Sequence, residues 1–324
     1  MTLPEVAQAW FRRGAMETLA GIDCFVIDRP AVATDHAPAA AGSSTSPDRK
    51  PPGHTETATL WLHGFPSSSL DWRGVVERLA WSGRTLLMDF PGFGFSAKPD
   101  NYSYSLIDQA DRIVLLLRSR GIRRVRLVCH DMGTSVVCEL LARREMGLLP
   151  FSIDGVVFMN GSIFIEQARL TPSQKLLRSR LAGLYTRVAS EAMFRWQIKK
   201  ILGTAIPPSE LEAMWALMQH NDGIARLPRI IHYIDQRYRY YPRWTDPLAR
   251  LDIPVLVLWG QRDPVAVAAI GQRLAETIPG ATTCRLDSIG HFPMLEAPAQ
   301  TAGAVEDWLS ARDPGAQSPG DVKY

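Results

Sequence analysis

Between Thr57 and Met159 the chain alternates short apolar runs with longer segments whose apolar residues recur every three or four positions. Short apolar runs predict buried strands, and the longer spacing predicts helices that pack against them. Because helices separate the strands, the pattern indicates a mostly parallel sheet with helices on both faces, an α/β fold. The predicted strands are Thr59–Leu62, Thr85–Met88, Val125–Val128 and Ile153–Met159.

The same pattern places a short helix and a pair of strands before this region. Glu5–Arg13 is predicted to be helical, and Thr18–Ile27 reads as two short strands with Gly21 in the turn. Within the alternating region the predicted helices are Asp71–Trp81 and the amphipathic Ser105–Arg120.

The alternation stops after Asn160 and resumes near Pro254, which predicts an insertion in the α/β core. Residues 161–249 have a helical pattern rich in Arg, Trp and Tyr. We therefore expect a helical cap at 161–249 between two parts of the core, 1–160 and 250–312. The second part has a strand to Trp259, a helix over Val265–Ile278, a strand at Thr282–Leu286 and a helix at Gln300–Ala311.

Two segments lack any periodic pattern. Residues 31–55 are rich in Ala, Ser, Thr and Pro, which predicts a flexible surface insertion in the first part of the core. A linker between two domains is the weaker interpretation, because too little chain precedes the segment to fold alone. Residues 313–324 are predicted to be a disordered tail.

Composition and charge exclude several classes of protein. The 324 residues are 46% apolar and 21% charged, as in globular proteins, and the net charge of +3 is too small to indicate a nucleic-acid partner. No apolar run approaches the ~20 residues of a membrane span, so stable membrane insertion is not expected. The four Cys lack Cys-x-x-Cys spacing and are expected to be reduced thiols of a cytoplasmic protein, monomer or homodimer.

The segment Cys129–Gly133 lies between the Val125 strand and an apolar helical stretch, and Asp131 is at its centre. A tight strand-to-helix turn with a reactive side chain at its tip is a nucleophile elbow. A carboxylate there can attack a saturated carbon and form an ester, which water then cleaves to restore the acid. The alternative is that Asp131 only caps the helix that follows it.

Partners for such a nucleophile follow later strands in the required order. Asp263 comes just after the Val255–Trp259 strand and His291 lies in a loop after the last predicted strand. The backbone N–H groups of Phe65 and Met132 would form an oxyanion hole. Taken singly, Asp131, Asp263 and His291 are each common turn or loop residues, and their joint placement carries the catalytic interpretation.

No cofactor or metal is expected. The run Gly92–Ala97 follows a strand and fits a dinucleotide-binding fingerprint, but Lys98-Pro99 prevents a helix from beginning there. Without a helix N-terminus the pyrophosphate would lack its binding site. The expected partners are therefore a small-molecule substrate and water.

The motifs WLHGFPSSSLDW, MDFPGFGFSAKP, VCHDMG, LVLWGQRDPV and IGHFPMLEAP resemble the Asp-nucleophile α/β-hydrolases, the group of epoxide hydrolases and haloalkane dehalogenases. The resemblance extends from about residue 11 to residue 309. The sequence NDGIARLPRIIHYIDQRYRYYPRW, at residues 221–244, narrows it to proteins of the mesoderm-specific transcript type. The resemblance implies the α/β-hydrolase fold, with the cap inserted in it, and hydrolysis through an ester on Asp131.

Departures from the family indicate which hydrolase this is. Haloalkane dehalogenases hold the halide with side-chain N–H donors at the positions of Phe65 and Met132, which cannot donate. Fluoroacetate-type dehalogenases carry Arg beside the nucleophile, where this chain has Met132 and Ser135. Epoxide hydrolases use Tyr hydroxyls of the cap, and Tyr233, with Tyr185 as a weaker candidate partner, matches that role. A packed Tyr without a catalytic role is the alternative for Tyr233.

The resemblance therefore implies an epoxide hydrolase. Trp196, Trp215 and Phe194 suggest a small apolar or aryl substrate, unless they only fill the interior of the cap. Three alternatives stay open: a haloalkane dehalogenase, an esterase-like hydrolase, and a non-catalytic binding protein on a hydrolase fold.

Overall fold

The computed structural model describes residues 3–31, 57–81 and 83–312. One sheet of eight strands runs in the order β1-β2-β4-β3-β5-β6-β7-β8, and only β1 and β2 pair antiparallel with their neighbours. The mostly parallel sheet predicted from the sequence is confirmed. The strands are β1 (Ala15–Leu19), β2 (Ile22–Arg29), β3 (Thr57–Leu62), β4 (Arg84–Met88), β5 (Arg124–His130), β6 (Ser152–Met159), β7 (Val255–Gly260) and β8 (Thr282–Leu286).

Both faces of the central strands are covered. All six residues from Val125 to His130 in β5 are buried, and so is every residue of β7. Since successive side chains of a strand point to opposite faces, burial at consecutive positions requires packing on both sides.

The predicted insertion at 31–55, except for Ala31, and the predicted tail at 313–324 lie outside the described residues.

Four helices precede the end of β6, and one differs from its prediction. The helix expected over Asp71–Trp81 is a 3-10 turn at Ser69–Trp72 followed by a single helical turn that ends at Val76. The chain leaves the helix after Val76 and reaches β4 at Arg84. These helices are α1 (Glu5–Phe11), α2 (Arg73–Val76), α3 (Leu106–Ser119) and α4 (Met132–Glu145).

Seven helices lie between β6 and β7, in the segment 161–249, which we call the cap segment. They are α5 (Pro172–Leu177), α6 (Ala182–Val188), α7 (Glu191–Lys199), α8 (Pro208–Gln219), α9 (Gly223–Ile230), α10 (Tyr233–Arg239) and α11 (Tyr241–Thr245). After β7 come α12 (Ala268–Thr277), α13 (Pro293–Glu296) and α14 (Pro298–Ser310). Across residues 3–31, 57–81 and 83–312, every helix falls short of the length and apolarity that crossing a bilayer demands.

A buried carboxylate joins the end of the cap segment to α4. The Glu139 side chain is 1% exposed and accepts hydrogen bonds from Arg143 Nε at 2.8 Å, Arg243 Nε at 2.7 Å and Trp244 Nε1 at 2.9 Å. Burial alone would raise the pKa of Glu139, but the two guanidinium groups and the indole N–H lower it below the usual range. The carboxylate therefore stays ionised and fully bonded.

Replacing Glu139 with Ala leaves the buried Trp244 indole N–H without its acceptor and removes the partner of Arg243, whereas Arg143 keeps Asp111. We expect the free energy of unfolding to fall by about 2 kcal/mol, because a buried donor is left unsatisfied. Urea denaturation followed by circular dichroism measures the change. The control is Glu145→Ala, which removes a solvent-exposed ion pair to Arg250 and should leave the midpoint unchanged. Equal midpoints for the two variants would contradict the interpretation.

Candidate active site

Asp131 occupies the turn between β5 and α4 with φ 42° and ψ −108°. A positive φ is unfavourable for a residue with a side chain, so the surrounding structure must hold this turn. Two glycines supply the necessary space. A Cβ on Gly64 would lie 2.7 Å from the Asp131 Cβ, and one on Gly133 would lie 2.8 Å from the His63 carbonyl oxygen.

The Asp131 carboxylate does not cap the helix that follows it. Its side chain accepts no hydrogen bond from the first N–H groups of α4. Instead, Oδ2 accepts a 3.0 Å hydrogen bond from the backbone N–H of Phe65. The Phe65 N–H is thus placed where an oxyanion donor is needed. The second carboxylate oxygen, Oδ1, does not accept this hydrogen bond. Met132, the second predicted donor, is the first residue of α4 and is buried.

A guanidinium group that the sequence did not reveal contacts this carboxylate. Arg237 of α10 donates from Nη2 to the Asp131 backbone oxygen at 3.1 Å and to Oδ1 at 3.4 Å, and from Nε to Ser135 Oγ at 2.8 Å. Both charged side chains are 3% exposed. Met132 and Ser135 do not supply an Arg beside Asp131, but the cap segment does, from a distance of 106 residues along the chain.

Arg237 decides the charge state of Asp131. Burial by itself would raise the pKa of Asp131, but the Arg237 charge, then His291, then His130, and the Phe65 hydrogen bond lower it below its ordinary value. The carboxylate is thus ionised at neutral pH although almost no solvent reaches it. An anion is the form that a nucleophilic carboxylate requires.

His291 and Asp263 are directly bonded. His291 Nδ1 lies 2.7 Å from Asp263 Oδ2, which also accepts a 2.9 Å hydrogen bond from Asn160 Nδ2. The other oxygen, Oδ1, accepts from the backbone N–H groups of Val265 and Ala266. Four donors therefore fix the Asp263 carboxylate, and the carboxylate in turn fixes the orientation of the His291 ring.

Asn160 is a site residue that the sequence analysis missed. Its side chain holds Asp263 and bonds to both the N–H and the carbonyl of Gly260, at 2.9 and 3.2 Å. The sequence did indicate Asn160, because it directly follows the β6 strand and so lies at the same sheet edge as Asp131 and Asp263. Polar residues at the carboxyl ends of parallel strands meet at that edge.

Burial and neighbouring charges act in opposite directions on the pKa of His291. Burial lowers the pKa of the imidazole, but the charges of Asp263, Asp131 and Glu296 outweigh burial and raise the pKa above the ordinary value. His291 is 3% exposed and shares a cavity with Phe65. The structure therefore brings Asp131, Asp263 and His291 to one buried place, as their placement in the sequence predicted.

Glu296 connects the His291 loop to the cap segment. Its Oε1 accepts from Phe292 N–H at 3.0 Å, and its Oε2 accepts from the N–H groups of Gly290, Gly203 and Thr204 at 2.9, 2.7 and 2.9 Å. The bonded residues thus include both neighbours of His291. The carboxylate therefore holds the His291 loop against residues 203–204.

The cavity beside His291 is lined mainly by helices of the cap segment. Phe194 and Trp215 lie in its wall, with ring centroids 5.6 Å apart. Trp196 does not belong with them, since its side chain is 56% exposed, so the expectation that it faces substrate or fills the cap interior is wrong. Tyr185 lies in the wall, but its hydroxyl is hydrogen-bonded to Gln197 at 3.2 Å.

Tyr233 is fully buried near the nucleophile, and its hydroxyl has no hydrogen-bond partner among the described residues. Burial first, and then the negative charge of Asp131, raises the pKa of Tyr233, so the O–H stays protonated. Arg237 stacks on the ring from one helical turn away, 4.7 Å from the centroid, and Gln174 of the cavity wall is a near neighbour of the hydroxyl. The Tyr233 hydroxyl is therefore an unsatisfied buried donor on which the Asp131 charge acts.

The described residues hold neither a metal-binding group of side chains nor a helix directly after the run Gly92–Ala97. Residues 3–31, 57–81 and 83–312 contain no group of three His, Cys, Asp or Glu side chains placed to hold a metal ion. The loop after Gly92–Ala97 stays free of helix as far as Ser105, as the Lys98-Pro99 pair predicted. Its glycines instead give room to Asp89, because a Cβ on Gly94 would lie 2.0 Å from Asp89 Oδ2.

Comparisons with known proteins agree with the fold. The profile of the alpha/beta hydrolase family matches residues 60–304. The chain is 41% identical over 263 residues to LipZ of Mycobacterium tuberculosis, which covers 79% of this chain and 89% of LipZ. It is 37% identical over 269 residues to the human mesoderm-specific transcript homolog protein, covering 80% of each.

Among solved structures, haloalkane dehalogenase DbeA from Bradyrhizobium elkani superposes with a TM-score of 0.73. The match covers 93% of this chain and 99% of that protein, at 20% identity. At that identity the similarity supports the fold and carries no information about substrate. The relatives of higher identity thus establish the family, and the reaction must be argued from the site.

Replacing Glu296 with Gln should lower the pKa of His291, because a negative charge that stabilises the imidazolium is removed. Imidazole titration by 1H–15N NMR of the protein measures the pKa directly. Glu276→Gln is the control, since Glu276 is exposed and bonds only to Gln272 among the described residues. An unchanged His291 titration in Glu296→Gln would show that the carboxylate does not act on the base.

Proposed function

The chain belongs to the alpha/beta hydrolase family, and from that premise we propose that it hydrolyses its substrate through a covalent ester on Asp131, as epoxide hydrolases do. The observation that carries the proposal is the placement of the Asp131 carboxylate. It is buried and ionised, it caps no helix, and its Oδ2 accepts the N–H of Phe65. An epoxide with a small apolar or aryl substituent is the proposed substrate.

In the first step, Asp131 Oδ1 attacks a ring carbon of the epoxide and the bond from that carbon to the ring oxygen breaks. The unpartnered hydroxyl of Tyr233 donates to the oxygen as it becomes negative. Tyr185 is the weaker candidate for a second donor, because Gln197 already engages its hydroxyl. Arg237 holds the carboxylate in place and balances its charge before attack.

In the second step, His291 takes a proton from water and the oxygen of that water attacks the ester carbonyl. Asp263 and Asn160 keep the imidazole oriented for this transfer. The N–H groups of Phe65 and Met132 stabilise the oxyanion, and each such donor contributes about 10²–10³ in rate. The intermediate collapses as His291 returns its proton to the departing oxygen. The second proton of the attacking water leaves the Asp131 carboxyl group for the ring oxygen, so that the diol carries both protons and Asp131 is again a carboxylate.

The site supports haloalkanes less well than epoxides. A departing halide needs N–H donors, and the side chains of Phe65 and Met132 offer none. The wall around Phe194 and Trp215 suits an apolar group in either substrate. Esters remain the other alternative, because the oxyanion donors serve acyl transfer too. A non-catalytic binding protein would be inert towards all three classes.

Replacing His291 with Gln should leave the first step intact and block the second, because the general base is removed. Incubation with an epoxide panel should then give a protein heavier by the mass of one substrate. Mass spectrometry of the intact protein and of its peptides measures the adduct, which should map to Asp131.

The matched control is the double variant that adds Asp131→Asn, which should form no adduct. An adduct that persists in the double variant, or an Asp131→Asn enzyme that turns over at the wild-type rate, would refute the covalent mechanism. Parallel incubation with 1-haloalkanes and p-nitrophenyl esters assigns the substrate class.

Replacing Tyr233 with Phe removes the donor to the ring oxygen and should slow epoxide opening on the order of 10²-fold. The fold should be unaffected, since the hydroxyl has no partner to lose among the described residues. Single-turnover alkylation rates of Asp131 measure the effect. Tyr185→Phe is the control and should change the rate less than about tenfold, because Gln197 engages its hydroxyl. If Tyr185→Phe slowed alkylation more than Tyr233→Phe, Tyr185 would be the donor to the ring oxygen instead.

A further inference from the structure

The positive charge of the chain is concentrated in one part of the cap segment. The whole sequence has 36 Lys and Arg and 33 Asp and Glu. Residues 168–200 hold eight of the basic residues and one acidic residue, a net charge of +7, which leaves 28 basic and 32 acidic residues, a net charge of −4, for the rest. The exposed basic residues of this segment are Arg169, Lys175, Arg180, Arg187, Lys199 and Lys200.

The same segment exposes large apolar side chains. Leu181, Leu184 and Val188 are 58%, 59% and 62% exposed, and Trp196 is 56% exposed. Leu184 and Val188 lie four residues apart on one face of α6, and Leu181 directly precedes that helix, three residues before Leu184. A cluster of exposed apolar side chains, bordered by charge of one sign, is a feature of interaction surfaces.

Residues next to these exposed side chains line the cavity of the proposed active site. Tyr185 of α6 and Gln197 of α7 are both in its wall, and their side chains are hydrogen-bonded to each other. Tyr185 follows the exposed Leu184, and Gln197 follows the exposed Trp196. The two helices that wall the cavity thus present their apolar outer side chains to solvent.

We propose that this surface docks on a lipid bilayer that contains anionic lipids. The docking surface consists of Leu181, Leu184, Val188 and Trp196 with the exposed basic residues named above. Apolar side chains enter the boundary between headgroups and acyl chains, while Lys and Arg pair with lipid phosphates. The six exposed positive charges of this surface favour this occupant over a neutral or basic protein surface.

Docking would bring the cavity wall next to the bilayer, so that apolar substrate dissolved there can reach His291 and Asp131. The delivery of substrate from the bilayer to the site rests on the proposed function, whereas docking itself does not. Docking also requires no membrane-spanning helix, because an interfacial surface lies on the bilayer without crossing it.

Co-sedimentation of the full chain with vesicles tests the inference. Binding to vesicles of phosphatidylcholine with phosphatidylglycerol should be at least tenfold tighter than to phosphatidylcholine alone, and should weaken as salt is added. The double variant Arg180→Glu with Arg187→Glu should bind at least about 25-fold more weakly, about fivefold for each positive charge lost, and the two negative charges gained weaken binding further. The double variant Leu184→Ser with Val188→Ser should bind the anionic vesicles at least tenfold more weakly, because apolar side chains that enter the bilayer are removed.

Matched controls lie on other faces of the molecule. Leu148→Ser removes a side chain that is 64% exposed, and Arg118→Glu reverses an exposed charge at the end of α3, and both should bind like wild type. Asp131→Asn should also bind like wild type, so that loss of the proposed reaction is separated from loss of docking. Circular dichroism checks that each variant is folded.

Three outcomes would overturn the proposal. Wild-type protein that does not prefer anionic vesicles has no such surface. Equal loss of binding in the Leu148 and Arg118 controls would make the interaction non-specific. A dimer in solution that dissociates on Leu184→Ser with Val188→Ser would mean that a second copy of the chain covers the surface.

Discussion

The ion pair between Asp131 and Arg237 is the interaction on which the rest of the site depends. Each group is almost completely buried, and an isolated buried charge would be strongly unfavourable. One partner belongs to the core and the other to the cap segment, so neither part can hold its charge without the other. The pair also fixes the backbone at the elbow, because Arg237 donates to the Asp131 carbonyl oxygen where φ is positive.

Parallel strands explain why the remaining parts meet there. Asp131, Asn160 and Asp263 follow β5, β6 and β7, which are adjacent in the sheet, and residues after the carboxyl ends of neighbouring parallel strands lie close together. His291 arrives from the loop after β8 and completes the row. The long separation of Asp131 and His291 along the chain therefore becomes a short distance in space.

The sequence predicted the elements better than the contacts between them. Periodicity identified all eight strands that the structure describes. The central strands were the clearest, because burial on both faces produces short apolar runs. It overextended the helix after Ser69, where tertiary packing turns the chain at Val76. Arg237 was missed since it is one of several Arg in an Arg- and Tyr-rich segment, and no local pattern tells which one turns inward. Trp196 was misplaced for the same reason.

The Glu296 carboxylate, bonded on one side to the loop of His291 and on the other to Gly203 and Thr204, has a consequence for protein engineering. Chimeras are often made by exchanging inserted segments between related enzymes to transfer substrate preference. In this protein a foreign segment that does not place two backbone N–H groups at the positions of Gly203 and Thr204 would leave the Glu296 carboxylate without two of its donors and loosen the His291 imidazole. Recombination borders should therefore keep residues 201–204 with the native scaffold.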